Sequence, residues 1–319
     1  MTAVTAVTAR APAKVNLQLA FGPLRAHGYH DVVTVYHAVS LFDEVTVVPA
    51  DTDSVVVTGE GADDVPTDGT NLAAQAAEAL VQAVGPGCKD SPGLAIRISK
   101  RIPVAAGLAG GSADAAATLV ACNELWRTGL SQAELRELAA GIGSDVAFGL
   151  VGGTAIGVGR GEQVTPALVA GTYHWVLAFA AGGLSTAQVY AACDRIRASR
   201  GKPGEAGTAE PPALDNKLMS ALRSGKAGEV APLLSNDLQP AAISLRPELR
   251  RTLAAGGEHG ALGGIVSGSG PTCAYLAKDA RHAAALAVSL AGAGVCRTVA
   301  HVVGPAPGAV VTAITTEPG

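Results

Sequence analysis

Residues 94–126 constrain the fold more than any other part of the chain. They read LAIRISK, then RIPVAAGLAGG, then SADAAATLVACNELW: a strand period, a glycine-rich loop and an alanine-rich helix. Ile96 and Ile98 alternate with Arg97 and Ser99, as side chains do on a pleated strand. Gly107, Gly110 and Gly111 permit positive φ and a close approach of ligand to backbone, and Ser112 is placed to cap the helix that follows. A helix opening on such a loop offers free N–H groups and the positive end of its dipole, which together suit a phosphate. An ordinary tight β-to-α turn has the same pattern, so other residues must decide. No Lys follows the glycines, so the loop is not a Walker A. GVGRG at 157–161 is not a dinucleotide fingerprint, because Glu162 stands where a third Gly is needed.

Two further stretches add reactive groups. PAKVNLQL puts Lys14 and Asn16 on one side of a strand, since alternate side chains share a face. GSDVAFG puts Asp145 just after a glycine-flanked helix end, where a carboxylate can face a cleft. Taken singly, each reads more readily as an edge-strand Lys and a helix-capping Asp.

The pattern along the chain predicts a mixed α+β plan. The first sixty residues are β-rich, with KVNLQLAF, DVVTVYHAVSL, DEVTVV and SVVVTG. Helices are expected over 71–84, from Ser112, and from Ser131, which forms a capping box with Glu134. The second half alternates WVLAFAA, the helix AQVYAACDRIRA, a surface loop over 200–213, GIVSGSGPTCAYLA, the helix KDARHAAALAVSLAG and a final strand near CRTVAHVV. We divide this into two lobes, 1–165 and 166–319.

Bulk properties exclude several classes. With 48% hydrophobic and 16% charged residues the chain is no disordered protein. Its net charge of −4 comes without a basic stripe, so no nucleic-acid partner is expected. The five cysteines are far apart with no Cys-x-x-Cys, which argues against a disulfide framework or zinc and for a reducing cytoplasm. No basic-then-apolar leader opens the sequence. Residues 163–193 carry no charge, but their dense apolar run is only WVLAFAA, so no membrane partner is expected either. Nothing fixes the oligomeric state.

The segments PAKVNLQL, RAHGYHDVVTVYHAVSLFDEV, PVAAGLAGGSADAA, GSDVAF and GIVSGSGPTCAYL follow one another over about residues 10–304. In that order and spacing they resemble the 4-diphosphocytidyl-2-C-methyl-D-erythritol kinase family of the galactokinase/homoserine kinase/mevalonate kinase/phosphomevalonate kinase (GHMP) superfamily. The resemblance implies a two-lobe α+β fold of the GHMP-kinase type, with a nucleotide-binding N-terminal lobe and the active site in the cleft between lobes. It departs from the family at His27, where Asp is usual, at Ala105, Ala106 and Ala109, where glycines are frequent, and at Ala147, where Pro is common.

What the resemblance implies for single residues follows. The reaction would be ATP-dependent phosphorylation of the 2-hydroxyl of an erythritol carrying a cytidine diphosphate. Asp145 matches the catalytic Asp and Lys14 the cation beside it. Pro103, Val104, Ala105, Ala106, Gly107, Leu108, Ala109, Gly110, Gly111 and Ser112 match the ATP phosphate loop, with Mg²⁺ bridging phosphates near Ser112, and Asp114 a further candidate through water. Asn71 and Lys100 fall where the family contacts the adenosine. Tyr29 and His30 match residues that pack on and hydrogen-bond to cytosine, and Tyr190 the aromatic on its other face. Asn16 and Thr186 would lie near the reacting diol. Gly268 and Gly270 in SGSGPT match the superfamily's third motif. The Tyr29–His30 pair argues against homoserine or mevalonate as substrate. The presence of Lys14 and Asp145 argues against a silent sensor on the same scaffold.

Overall fold

The computed structural model describes residues 4–25, 28–89, 91–200 and 211–317; of the expected loop over 200–213, residues 201–210 lie outside them, as does His27. The chain opens with two long strands, β1 (Val4–Leu24) and β2 (His30–Ala50), followed by β3 (Ser54–Gly59). Helix α1 (Leu72–Val84), strand β4 (Gly93–Lys100) and helices α2 (Gly110–Leu125), α3 (Gln132–Ile142) and α4 (Ser144–Val151) come next. Then follow β5 (Thr154–Val158), β6 (Gln163–Pro166), β7 (Tyr173–Phe179), α5 (Thr186–Arg200), α6 (Asn216–Ser224), α7 (Ala227–Val230) and β8 (Ser235–Asn236). The chain continues through α8 (Gln239–Leu245), α9 (Glu248–Glu258), β9 (Gly263–Val266), β10 (Cys273–Ala277), α10 (Ala280–Gly292), β11 (Thr298–Gly304) and β12 (Val310–Thr316).

Two sheets result. The larger runs β12-β1-β2-β4-β3, with β5 beside β2, β6 beside β5 and β8 beside β1; the smaller runs β11-β7-β10-β9. β12 departs from the expected plan, which closed on the strand near 296–303. VVTAITT lacks the alternation of a half-buried strand because almost all of it is exposed, and only hydrogen bonding to β1 defines it. The first sheet therefore takes its edge strand from the far end of the sequence. One core cluster also joins the sheets, holding Val15 and Leu17 of the first together with Trp175, Leu177 and Leu276 of the second.

The helices follow local rules. The Asn71 side chain accepts from the Ala73 N–H and caps α1. The capping box at Ser131–Glu134 forms as expected and starts α3. α2 is buried nearly all round, which its small side chains permit, and α4 packs close to it. A Cβ on Gly149 would sit 2.8 Å from the Ala116 Cβ, so this glycine sets how near α4 approaches α2. That approach brings the first turn of α4, and with it Asp145, toward the start of α2.

Candidate active site

The floor of the cleft is the β1–β2 pair. Lys14 lies opposite Ala38 and Asn16 opposite Tyr36. On β2, His30, Val32, Thr34 and Tyr36 alternate onto one face, and all four line the same cavity as Lys14 and Asn16. The side chains form a chain of donors and acceptors. The Lys14 ammonium donates to Asn16 Oδ1 at 2.7 Å, Asn16 Nδ2 donates to Thr34 Oγ1 at 2.8 Å, and Thr34 donates to the Gln18 carbonyl at 2.7 Å. Asn16, expected near the substrate, thus also aims the lysine.

Lys14 Nζ stands 3.7 Å from Asp145 Oδ2, an ion pair too long for a direct hydrogen bond. Burial pulls the Lys14 pKa below its ordinary value, and the Asp145 carboxylate only partly opposes this. Asp145 lies in the first turn of α4, where the helix dipole favours a negative charge.

The glycine loop arches over this pair. Ala105, Gly107 and Ala109 all take positive φ, at 50°, 76° and 62°. Two of these three are alanines, which resist that conformation. The loop is tied on three sides: Lys14 N donates to the Leu108 carbonyl, Leu184 N to that of Ala105, and Ser267 Oγ to that of Gly107. Leu108 is wholly buried and serves as the anchor. α2 begins at Gly110, so Ser112 is its third residue and not its cap as the sequence suggested. The cap position is Ala109, whose side chain accepts nothing, and the first-turn N–H groups stay free to meet an anion.

Pro103 and Val104, expected with the loop, do not line the cleft; with Ala106 they border a smaller cavity of about 100 Å³ beside Gly61, Gly183 and Thr272. Ala106 touches both spaces, so the loop is the partition between them. The loop 267–272 closes the cleft from the second sheet, and a Cβ on Gly268 would come within 2.9 Å of Lys14 Nζ and 3.2 Å of Asn16 Oδ1. Its Ser269 hydroxyl is 3.0 Å from that of Thr186 at the start of α5.

Two expected adenosine contacts are occupied otherwise. Lys100 is buried and donates to Asp43 Oδ2 at 2.5 Å and Asp114 Oδ2 at 2.7 Å. Asn71 spends its carbonyl on the α1 cap and its amide on the Pro66 carbonyl. Neither side chain is among those that line the cleft with Lys14 and Asp145. Asp114 keeps one buried oxygen without a hydrogen bond.

At the far end of the cleft, Tyr190 of α5 stacks on His30 with centroids 5.2 Å apart. His30 Nδ1 meets the Gly22 carbonyl at 2.8 Å and Nε2 faces Asp194 at 3.3 Å. Both ring nitrogens thus have a partner within the chain. Tyr29 is exposed, and the Arg160 guanidinium lies 5.2 Å from its ring centre.

Sequence reasoning missed Tyr36, Arg160 and Asp194. Tyr36 was findable, since it continues the His30–Thr34 face at the strand period; Arg160 and Asp194 become neighbours only through the fold.

These residues line one cavity of about 880 Å³. A second space of about 910 Å³ lies between α1, α3 and the β3–β4 edge, but it holds neither the loop nor Lys14 nor Asp145. Chemistry, not volume, assigns the site.

Comparison with known proteins gives the same picture. Residues 71–155 match the GHMP kinases N terminal domain and residues 218–295 the GHMP kinases C terminal domain. A 4-diphosphocytidyl-2-C-methyl-D-erythritol kinase of Mycolicibacterium gilvum is 55% identical, over 95% of this chain and 92% of its own length. Its counterpart in Nocardia farcinica is 56% identical, over 95% of both chains. A crystal structure of 4-(cytidine 5'-diphospho)-2C-methyl-D-erythritol kinase superposes with a TM-score of 0.72 at 31% identity, covering 93% of this chain and 98% of the other.

Proposed function

This chain belongs to the GHMP kinases and within them to the 4-diphosphocytidyl-2-C-methyl-D-erythritol kinase family, and from that premise we propose which of its residues carry the reaction. The enzyme transfers the γ-phosphoryl group of ATP to the 2-hydroxyl of 4-diphosphocytidyl-2-C-methyl-D-erythritol, giving the 2-phosphate and ADP in non-mevalonate isoprenoid biosynthesis.

The observation that carries the assignment is the Lys14–Asp145 pair beneath the glycine loop, in the same cavity as the His30–Tyr190 stack. The acceptor hydroxyl attacks the γ-phosphorus, its proton passes to Asp145, and ADP departs. Such a transfer needs alignment and charge neutralisation more than covalent help. Lys14 answers the charge that grows on the transferred group. The backbone amides of residues 107–112 and the Ser112 hydroxyl hold the phosphates. Tyr29, Tyr190 and the backbone around His30 hold the cytosine, with Asn16 and Thr186 toward the diol.

Mg²⁺ fits a site of this composition. Among the described residues no cluster of three or more His, Cys, Asp or Glu could cage a metal. An ion that takes most of its ligands from phosphates and water needs no cage, and the Ser112 hydroxyl, in the first turn of α2, lines the same cleft. When bound it neutralises phosphate charge.

The division at 165/166 is proposed with β12 counted to the first lobe. Supporting a reducing cytoplasm, all five cysteines are free. Among the described residues no helix is long and apolar enough to cross a membrane.

A coupled ADP-release assay comparing the cytidine substrate with homoserine and mevalonate tests the reading. Turnover with the cytidine substrate and not the other two is expected, and Asp145→Asn should lower kcat by roughly 10²–10⁴. Equal rates on all three, or full activity of Asp145→Asn, would overturn it.

A further inference from the structure

Asp145 holds two partners, one on each carboxylate oxygen. Lys14 faces Oδ2 at 3.7 Å, and the Tyr36 hydroxyl donates to Oδ1 at 2.8 Å. We propose that Tyr36 is a positioning residue for the phosphoryl transfer, its hydroxyl fixing the Asp145 carboxylate so that Oδ2 is turned to Lys14 and the acceptor hydroxyl. The proposal rests on the assignment of Asp145 as the proton acceptor.

A carboxylate needs such a hold. Rotation about the last bond of an Asp side chain is broad, and Asp145 stands at the mouth of a cleft with part of its surface exposed. Tyr36 is well suited to limit that rotation because it is itself immobile. It is 3% exposed and belongs to the central strand β2. Its ring stacks on Phe148 with centroids 4.7 Å apart and an interplanar angle of 22°. Phe148 lies three residues after Asp145 on α4, on the same face of that helix. One tyrosine therefore grips α4 twice, by its ring and by its hydroxyl, and the register of the helix against β2 sets where the carboxylate points.

The space for the hydroxyl is kept clear by glycines. A Cβ on Gly157 would come 2.5 Å from the Tyr36 ring edge, and one on Gly161 would come 2.5 Å from the hydroxyl oxygen. The competing acceptor is the Gly161 carbonyl at 3.4 Å, which is longer and uncharged, so the proton is directed to the carboxylate. Burial and the charge of Asp145 both hold the phenol protonated, so it remains a donor throughout the working range. A phenylalanine would fill the same apolar seat without burying a hydroxyl, which locates the purpose of the oxygen in its bond to Asp145.

Tyr36→Phe keeps the ring on Phe148 and deletes only the O–H. The experiment measures kcat and both KM values for wild type, Tyr36→Phe, Asp145→Asn and the double variant, with thermal melts to verify folding. Expected is a loss of roughly 10- to 100-fold in kcat for Tyr36→Phe, since a hydrogen bond to a charged group is worth about 1.5–3 kcal/mol and 1.4 kcal/mol is tenfold. Both KM values should stay within about twofold. In the Asp145→Asn background the same change should alter the residual rate by less than about twofold, because a residue that acts through Asp145 has nothing left to position.

Wild-type kcat in a folded Tyr36→Phe enzyme overturns the proposal and leaves the role of Asp145 intact. The same loss in both backgrounds also overturns it, since Tyr36 would then act independently. Full turnover of Asp145→Asn instead defeats the catalytic assignment and takes the positioning role with it.

Discussion

Gly107 and Ser267 meet at close range: the Ser267 hydroxyl donates to the Gly107 carbonyl at 3.0 Å, and a Cβ on Gly107 would overlap the Ser267 carbonyl oxygen. The contact joins the glycine loop beside the first sheet to the 267–272 loop of the second, next to Lys14. Gly107 also takes φ 76°, so a side chain there is resisted twice. Gly107→Ala should push the two loops apart, raise the KM for ATP at least tenfold and lower the melting temperature. Unchanged ATP affinity in a melt-stable variant would show that the loop tolerates the shift.

Ala109 presents the reverse case, an alanine at φ 62° where glycine is at ease. A glycine costs about 0.4–1 kcal/mol in unfolded-chain entropy, but relief of left-handed strain is worth about 1–2 kcal/mol. Ala109→Gly is therefore expected to be neutral or stabilising by up to about 1 kcal/mol in urea unfolding. A loss of 1 kcal/mol or more would mean that the left-handed cost is not expressed at this site.

Asp114 shares Lys100 with Asp43, so three buried groups carry two negative charges and one positive. Burial, with Asp43 adding to it against the pull of Lys100, raises the Asp114 carboxyl from near 3.8 to about 7. A raised folded-state value means the protonated form is favoured by folding. Its contribution is full below about pH 4 and is lost as pH rises through about 7. Asp114→Asn removes the titration, so its stability relative to wild type should improve between pH 5 and pH 8, by about 1–3 kcal/mol. Parallel stability-versus-pH curves for the two proteins would refute the shift.

Lys14 is shifted the other way, downward by burial. If its charge acts in the transfer, kcat should fall with rising pH before the ordinary lysine value of 10.5 is reached. Lys14→Arg stays charged at any such pH, so its rate, though lower, should lack that alkaline limb. An identical limb in the arginine variant would assign the titration to another group.

Tyr190 packs on His30 and on Phe21, at 5.2 and 5.1 Å between centroids, at the end of the cleft proposed for cytidine. Base stacking is worth about 1–3 kcal/mol in nucleic-acid sites, so Tyr190→Ala should raise the KM for the cytidine substrate roughly 5- to 150-fold. The KM for ATP should hardly move. Loss confined to ATP would reverse the assignment of the two ends of the cleft.

The sequence by itself determined the local pieces. The strand period of β1 put Lys14 with Asn16, the capping box started α3, and the glycines marked the loop before α2. These are short-range properties, set by φ limits, side-chain alternation and neighbouring polar groups. The motif order also identified the family, because each motif is nearly intact in the linear chain.

Only the tertiary structure decided which groups meet. That Asp145 touches Tyr36, 109 positions away, depends on Gly149 letting α4 close on α2. Asn71 and Lys100 were read as nucleotide contacts, yet the fold gives Asn71 the α1 cap and gives Lys100 two buried carboxylates. β12 was invisible because its pairing with β1 spans some three hundred residues and leaves no burial period in VVTAITT. A polar group joins whichever partner the packed core brings within 3 Å, and that distance is a property of the whole chain's packing, which a linear pattern of residues does not contain.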